Sequence, residues 1–101
     1  LHFVYCQEEC TDTGLRHPKN KGKPVVLKEL SRLWDPKSPL LVKGFSPQQT
    51  LLIDDSPYKA AFNPQGSGIF PPEWTADLQD DDYLDPERGR IGKFIYELAK
   101  V

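Results

Sequence analysis

One short stretch does most to limit what this chain can fold into. Thr50-Leu51-Leu52-Ile53 is continuously non-charged and mostly apolar, and it stops abruptly at Asp54-Asp55. A strand apolar on both faces predicts burial on both sides, the pattern of parallel sheets covered by helices. Ser56-Pro57 follows as an N-cap and first-turn pair, predicting a short helix over 58–62 that Asn63-Pro64 ends. Ligands in open α/β sheets bind at the carboxyl ends of strands, so two carboxylates stand where a site would form. Side chains on adjacent strand residues point opposite ways, and the turn at Ser56-Pro57 is what lets both serve one site. Such oxygen ligands suit Mg²⁺, which is usually held by one or two carboxylates plus waters and a substrate phosphate. The same Asp pair is equally what a turn uses to cap a helix.

The remaining elements are read from pattern in the same way. Residues 1–6, Leu-His-Phe-Val-Tyr-Cys, predict a buried strand, and the turn formers through 7–24 predict a loop. Val25-Val26-Leu27 predicts a brief strand. Leu30, Leu33 and Trp34 fall at helical spacing and predict a short helix over 29–34, stopped by Asp35-Pro36. Gly68-Ile69-Phe70 predicts a third short strand. A final helix starts at Asp85-Pro86-Glu87, with Ile91, Phe94, Ile95, Leu98 and Ala99 on one stripe that should lie on the sheet. Within it, Gly89 and Gly92 each cost about 1 kcal/mol relative to Ala. Strands alternating with helices predict an α/β sheet covered on both sides, here in incomplete form.

Size sets the scale of that sheet. A chain of 101 residues accommodates one domain or part of one, not two. Apolar residues at 38% allow only a thin core, and ten prolines argue for long irregular connections. No apolar run approaches the roughly 18–20 residues of a membrane span, predicting a soluble chain with no membrane partner. It contains no methionine and opens without the charged and apolar regions of a signal peptide, predicting excision from a longer polypeptide. Cys6 and Cys10 are too few for a disulfide framework, which favours a reducing compartment, nuclear or cytoplasmic.

Charge is segregated. Residues 16–43 carry eight Lys or Arg against Glu29 and Asp35, whereas residues 73–87 carry seven acids and no base, inside a net charge of −2. Solvated loops commonly look like this, and so do surfaces that steer ionic partners. The basic segment contains only Trp34 as an aromatic, which gives direct nucleic-acid binding little support. Trp74 in the acidic stretch could mark a docking point for a basic partner. Cys6, Cys10 and His17 lack a fourth zinc ligand at finger spacing, and His2 reads as a packed strand residue. Lys28, between Leu27 and Leu30, is either a snorkelling surface lysine or a point charge delivered to a phosphate or carboxylate.

Taken together, Lys28-Glu29-Leu30 and the later Thr50-Leu51-Leu52-Ile53-Asp54-Asp55-Ser56-Pro57-Tyr58-Lys59 resemble the later motifs of the FCP1-type, NLI-interacting-factor-like phosphatases of the haloacid dehalogenase superfamily. Cys10-Thr11-Asp12-Thr13-Gly14, Asn63-Pro64, Ile69-Phe70-Pro71 and the closing helix add to the likeness, which covers nearly the whole chain and is nearest to plant members. The resemblance implies the C-terminal half of a Rossmannoid three-layer sandwich with a short parallel sheet. It implies Mg²⁺, a phospho-aspartate route, Lys28 as the group holding nucleophile and phosphoryl oxygens, Asp55 in the metal shell and Asp54 as its support. It also implies phosphoserine or phosphothreonine protein substrates, among which the RNA polymerase II tail is one possibility. Those roles suit phosphoryl transfer, which needs positioning and charge neutralisation above all.

The sequence departs from that family at its most important motif. No Asp-x-Asp followed by Thr or Val closes a hydrophobic strand, and Asp80-Asp81-Asp82 has the spacing but sits in a polar run. The expectation is therefore that residues 1–101 are part of such a domain without its N-terminal nucleophile, and inactive alone. The alternative is a non-catalytic protein-binding module of the same fold, as in relatives that serve mitochondrial import, with the acidic stretch as its contact surface.

Overall fold

The computed structural model describes residues 1–78 and 80–100 and divides them into two compact units, Leu1–Phe70 and Pro71–Val101. Five regular elements carry the fold: strands β1 (Thr11–His17), β2 (Asn20–Leu27), β3 (Leu52–Ile53) and β4 (Gly68–Ile69), and one helix, α1 (Arg90–Leu98). The fold class is α/β. β1 and β2 form an antiparallel hairpin, and β3 and β4 pair in parallel, in the register Leu52 with Gly68 and Ile53 with Ile69.

The parallel pair matches the expectation from the sequence, but its burial does not. Ile53 is 38% exposed and Leu52 is half-buried. The reason lies in the sheet: β3 has β4 as its one strand neighbour among the described residues, so it has a covered edge and an open one. The N–H groups of Leu52 and Asp54 donate to Ser67 O (2.8 Å) and Ile69 O (3.0 Å), which fixes the main chain up to the first of the two acids.

The hairpin is the largest correction. Residues 7–24 hold no apolar alternation and read as a loop, yet most of them pair as strands joined by a turn at Pro18-Lys19. Backbone bonds rather than a buried face make these strands. Gly14 takes a positive φ of 76°, its N–H donates to Asp12 Oδ1 (2.8 Å), and Thr13 Oγ1 donates across to Val25 O (2.6 Å). Val25, Val26 and Leu27 anchor the far end, with Leu27 buried.

Residues 1–6 do not form the expected buried strand. Leu1 and Val4 are exposed, and the segment is held by ring contacts: Phe3 lies 4.7 Å from Tyr5 and 5.4 Å from Phe45, centroid to centroid. Tyr5 also donates to Leu40 O (2.9 Å). The helices expected over 29–34 and 58–62 are single 3-10 turns, Leu30–Leu33 and Pro57–Ala60. The first is confined between the end of β2 at Leu27 and Pro36, the second between its own Pro57 and Pro64, leaving too few residues to repay the cost of nucleating an α-helix. Ser56 has the extended backbone of an N-cap, although its hydroxyl makes no capping bond to that turn.

In the second unit α1 begins at Arg90, five residues later than expected. Asp85 explains the delay, because its Oδ1 accepts the N–H groups of Glu87 (2.8 Å) and Arg88 (2.9 Å) and holds 85–88 in a turn. Tyr83 O then accepts from Ile91 N (3.0 Å) and Gly92 N (2.8 Å), which satisfies the first helical donors. The glycines permit this packing. A Cβ on Gly92 would run into the backbone of Leu84 and Asp85, and one on Gly89 into Asp82 and Tyr83. Ile91 is the buried member of the apolar stripe, while Phe94 and Leu98 are about half exposed at 53% and 49%.

Candidate functional site

Lys28 is the first residue beyond β2 and Asp54 the first beyond β3. The fold brings them together: Lys28 Nζ pairs with Asp54 Oδ2, across 26 positions of sequence. The Asp54 side chain is 3% exposed and the Lys28 side chain 40%, so the carboxylate is enclosed and the ammonium keeps a face toward solvent. The other Asp54 oxygen, Oδ1, accepts the Ser56 N–H (2.8 Å). Burial pushes the Asp54 carboxyl up, but the Lys28 hydrogen bond, the Ser56 N–H and the charges of Lys28 and Lys59 together hold it below its ordinary value of 3.8. Asp54 is therefore a carboxylate near neutral pH.

Asp55 is exposed where Asp54 is buried, the contrast that adjacent residues leaving a strand commonly show. Its described side-chain bond is the one Oδ1 accepts from Ser56 Oγ (3.1 Å). Hard oxygen donors of this type fit Mg²⁺, which takes few protein ligands and keeps several waters. Among the described residues there is no group of three or more His, Cys, Asp or Glu side chains that could enclose a metal ion. Both Asp54 oxygens are engaged, by Lys28 and by the Ser56 N–H, which leaves the exposed Asp55 as the freer oxygen donor of the two.

Two residues that sequence reasoning did not assign to the site are part of it. Asn63 reaches back across 35 positions to donate from Nδ2 to Lys28 O (2.9 Å), and its Oδ1 accepts from Leu30 N (2.9 Å). One amide thereby satisfies the main chain on both sides of Glu29 and fixes where Lys28 starts. The only signal was Asn63-Pro64, read as a helix stop and as part of the family likeness. Lys59 brings a second positive charge near Asp54, and its carbonyl accepts the Lys28 N–H (2.7 Å).

Both lysines line a cleft of about 500 Å³ whose walls include Tyr5, Val26, Leu30 and Leu52. Apolar walls carrying Lys28, Lys59 and Arg32 alongside Glu9 and Glu29 make a cleft of mixed charge, with cations available to an anionic group attached to an organic body. Arg32 braces the other side, donating from Nη1 to Glu9 O (2.8 Å) and Thr11 Oγ1 (3.2 Å). Cys6 and Cys10 are free thiols. With His17 they form no three-ligand group among the described residues. No helix of the described residues is long and apolar enough to cross a membrane.

The family model described as NLI interacting factor-like phosphatase matches residues 1–99, and the chain belongs to that family. Its α/β elements, one strand pair parallel and one antiparallel, are consistent with the haloacid dehalogenase-like Rossmannoid architecture. No curated protein and no solved structure matches the chain.

Proposed function

We propose that this member of the NLI interacting factor-like phosphatase family is the phosphate-positioning and metal-holding part of a Mg²⁺-dependent protein serine/threonine phosphatase domain, whose attacking Asp lies outside residues 1–101. The observation that carries this reading is the Lys28–Asp54 pair, whose lysine lines a cleft, with the exposed Asp55 next in the chain. Lys28, oriented by Asp54 and by the Asn63 amide, binds the phosphoryl oxygens and draws the nucleophilic carboxylate toward them. Asp55 offers oxygens to Mg²⁺, which neutralises phosphate charge when bound. Asp54 keeps Lys28 from folding away into solvent. The open edge of β3 and the exposed Ile53 support a sheet that a further strand completes.

The experiment is hydrolysis of p-nitrophenyl phosphate with Mg²⁺. The 101-residue chain shows no turnover, because Lys28, Asp54 and Asp55 cannot form a phospho-enzyme by themselves. Mg²⁺-dependent hydrolysis that disappears on Asp55→Ala overturns the proposal. A second reading, a protein-binding module without catalysis, is favoured by the exposed Trp74, Leu78 and Leu84 set among the seven acids of 73–87. Capture of a basic amphipathic peptide by this stretch, with no phosphate dependence, selects that reading.

A further inference from the structure

The β1–β2 hairpin carries Arg16, Lys19, Lys21 and Lys23, all exposed. Among the described residues none of these four forms an ion pair. The hairpin's acid, Asp12, sits at its base and is engaged by the Gly14 N–H. Leu15, 64% exposed, stands beside Arg16. Long side chains of one sign, gathered on a projecting hairpin and left without partners, oppose folding slightly through mutual repulsion, so a partner of the opposite sign removes that cost.

Position gives this patch a use. β2 runs from the turn at Pro18-Lys19 directly into Lys28, so hairpin and candidate site lie on one continuous strand. At about 3.3 Å per residue, Lys23 and Lys21 stand roughly 17 and 23 Å from Lys28 along that strand. An extended peptide has the same rise, so residues near Lys21 and Lys23 would be about five to seven positions from a residue held at Lys28.

We propose that the β1–β2 hairpin is a docking arm for acidic residues of a phosphoprotein substrate, located about five to seven positions from the phosphorylated residue. The spacing rests on the reading that Lys28 receives the phosphate. A peptide fits this arm better than a nucleic acid. The chain as a whole is net negative at −2, which disfavours a long polyanion, and residues 11–27 contain no Phe, Tyr or Trp on which bases could stack. Lys21 and Lys23, two positions apart on β2, share a face and suit one or two carboxylates, while Arg16 and Lys19 add positive charge around the turn.

Fluorescence anisotropy of the 101-residue chain tests the arm. The probes are fluorescein-labelled phosphoserine peptides with an Asp-Asp-Glu triplet five to seven positions away on one side or the other, and a control with Gln at those positions. One acidic probe should bind about tenfold tighter than the Gln control at low salt, the scale expected for a few rim charges. That advantage should vanish in Lys21→Gln/Lys23→Gln and in roughly 0.5 M NaCl, where charges are screened within a few ångströms. Equal binding of acidic and Gln probes, or an advantage that survives the double substitution, overturns the proposal. Displacement by a single-stranded oligonucleotide of equal charge at equal concentration also overturns it, in favour of non-specific polyanion binding. Failure of the phosphate reading looks different: phosphorylated and unphosphorylated acidic probes then bind alike while hairpin dependence persists, which supports the arm and refutes Lys28 as its reference point.

Discussion

The Lys28 ammonium and the Asp54 carboxylate meet because the ends of β2 and β3 are brought side by side, and the contact joins an enclosed anion to a cation that keeps one face open. That asymmetry decides what each substitution should do.

Asp54→Asn should lower stability at neutral pH by about 1–3 kcal/mol, toward the low end because Lys28 remains partly hydrated. The folded-state carboxyl is held below its ordinary value of 3.8, so its contribution is complete above that value and is lost as pH falls through the lowered one. Urea titrations of wild type and Asp54→Asn should therefore separate near pH 7 and draw together as the pH falls below 3.8. Comparison with the variant isolates Asp54 from Asp85, whose carboxyl is also held down by the Arg88 and Glu87 N–H groups and weakens in the same acid range. A gap that does not change with pH would show that the charge of Asp54 is not what stabilises the fold.

Asp55→Ala should behave oppositely. Its exposed side chain makes stability changes of no more than about 0.5 kcal/mol the expected outcome. Mg²⁺ affinity, read from ¹⁵N shifts of residues 54–56 during a titration, should fall by about tenfold or more. Unchanged affinity would remove Asp55 from the metal shell.

Asn63→Ala strips partners from Lys28 O and Leu30 N at once and should cost about 1–3 kcal/mol. Asn63→Asp keeps the acceptor for Leu30 N but puts a carboxylate oxygen against Lys28 O. Both variants should shift the Lys28 side-chain resonances, although neither residue's side chain touches the other's. A normal Lys28 spectrum in either would show that the amide does not position it.

Gly92→Ala sets two effects against each other. Replacing a helical glycine gains about 1 kcal/mol of helix propensity. Forcing a Cβ into the Leu84 and Asp85 backbone costs about 1–3 kcal/mol or more, so the variant should be less stable and less helical by circular dichroism. Lys93→Ala, on the exposed face of the same helix, is the control and should be close to neutral. Stabilisation by Gly92→Ala would mean that helix and preceding turn are not packed as described.

Legibility in the sequence followed the strength of the hydrophobic signal. The strand before the acids, its parallel partner and the closing helix all carry apolar residues at a recognisable period, and each is present, though shorter than expected. Of the hairpin, only the apolar end at Val25-Val26-Leu27 was legible; the rest of its strands is joined by main-chain bonds and the Thr13 hydroxyl, with almost nothing apolar to alternate. The aromatic opening of the chain misled in the opposite sense: Phe3 and Tyr5 invite a strand, but what they do is stack on each other and on Phe45. At the site, Lys28, Asp54 and Asp55 stood out as charged groups at strand ends, and the structure brings the first two together. Asn63 did not stand out, because an amide that bonds main chain thirty-five positions away leaves no local pattern.

That amide makes the whereabouts of a positive charge depend on a neutral residue in another part of the chain. Lengthening or shortening the stretch between the acidic turn and Asn63 by one residue would drag the carbonyl and N–H that flank Glu29, and so relocate the ammonium with no ionisable group altered. The spacing between the two is in effect a ruler for the pocket, and tuning it would retune how far into the cleft the cation reaches.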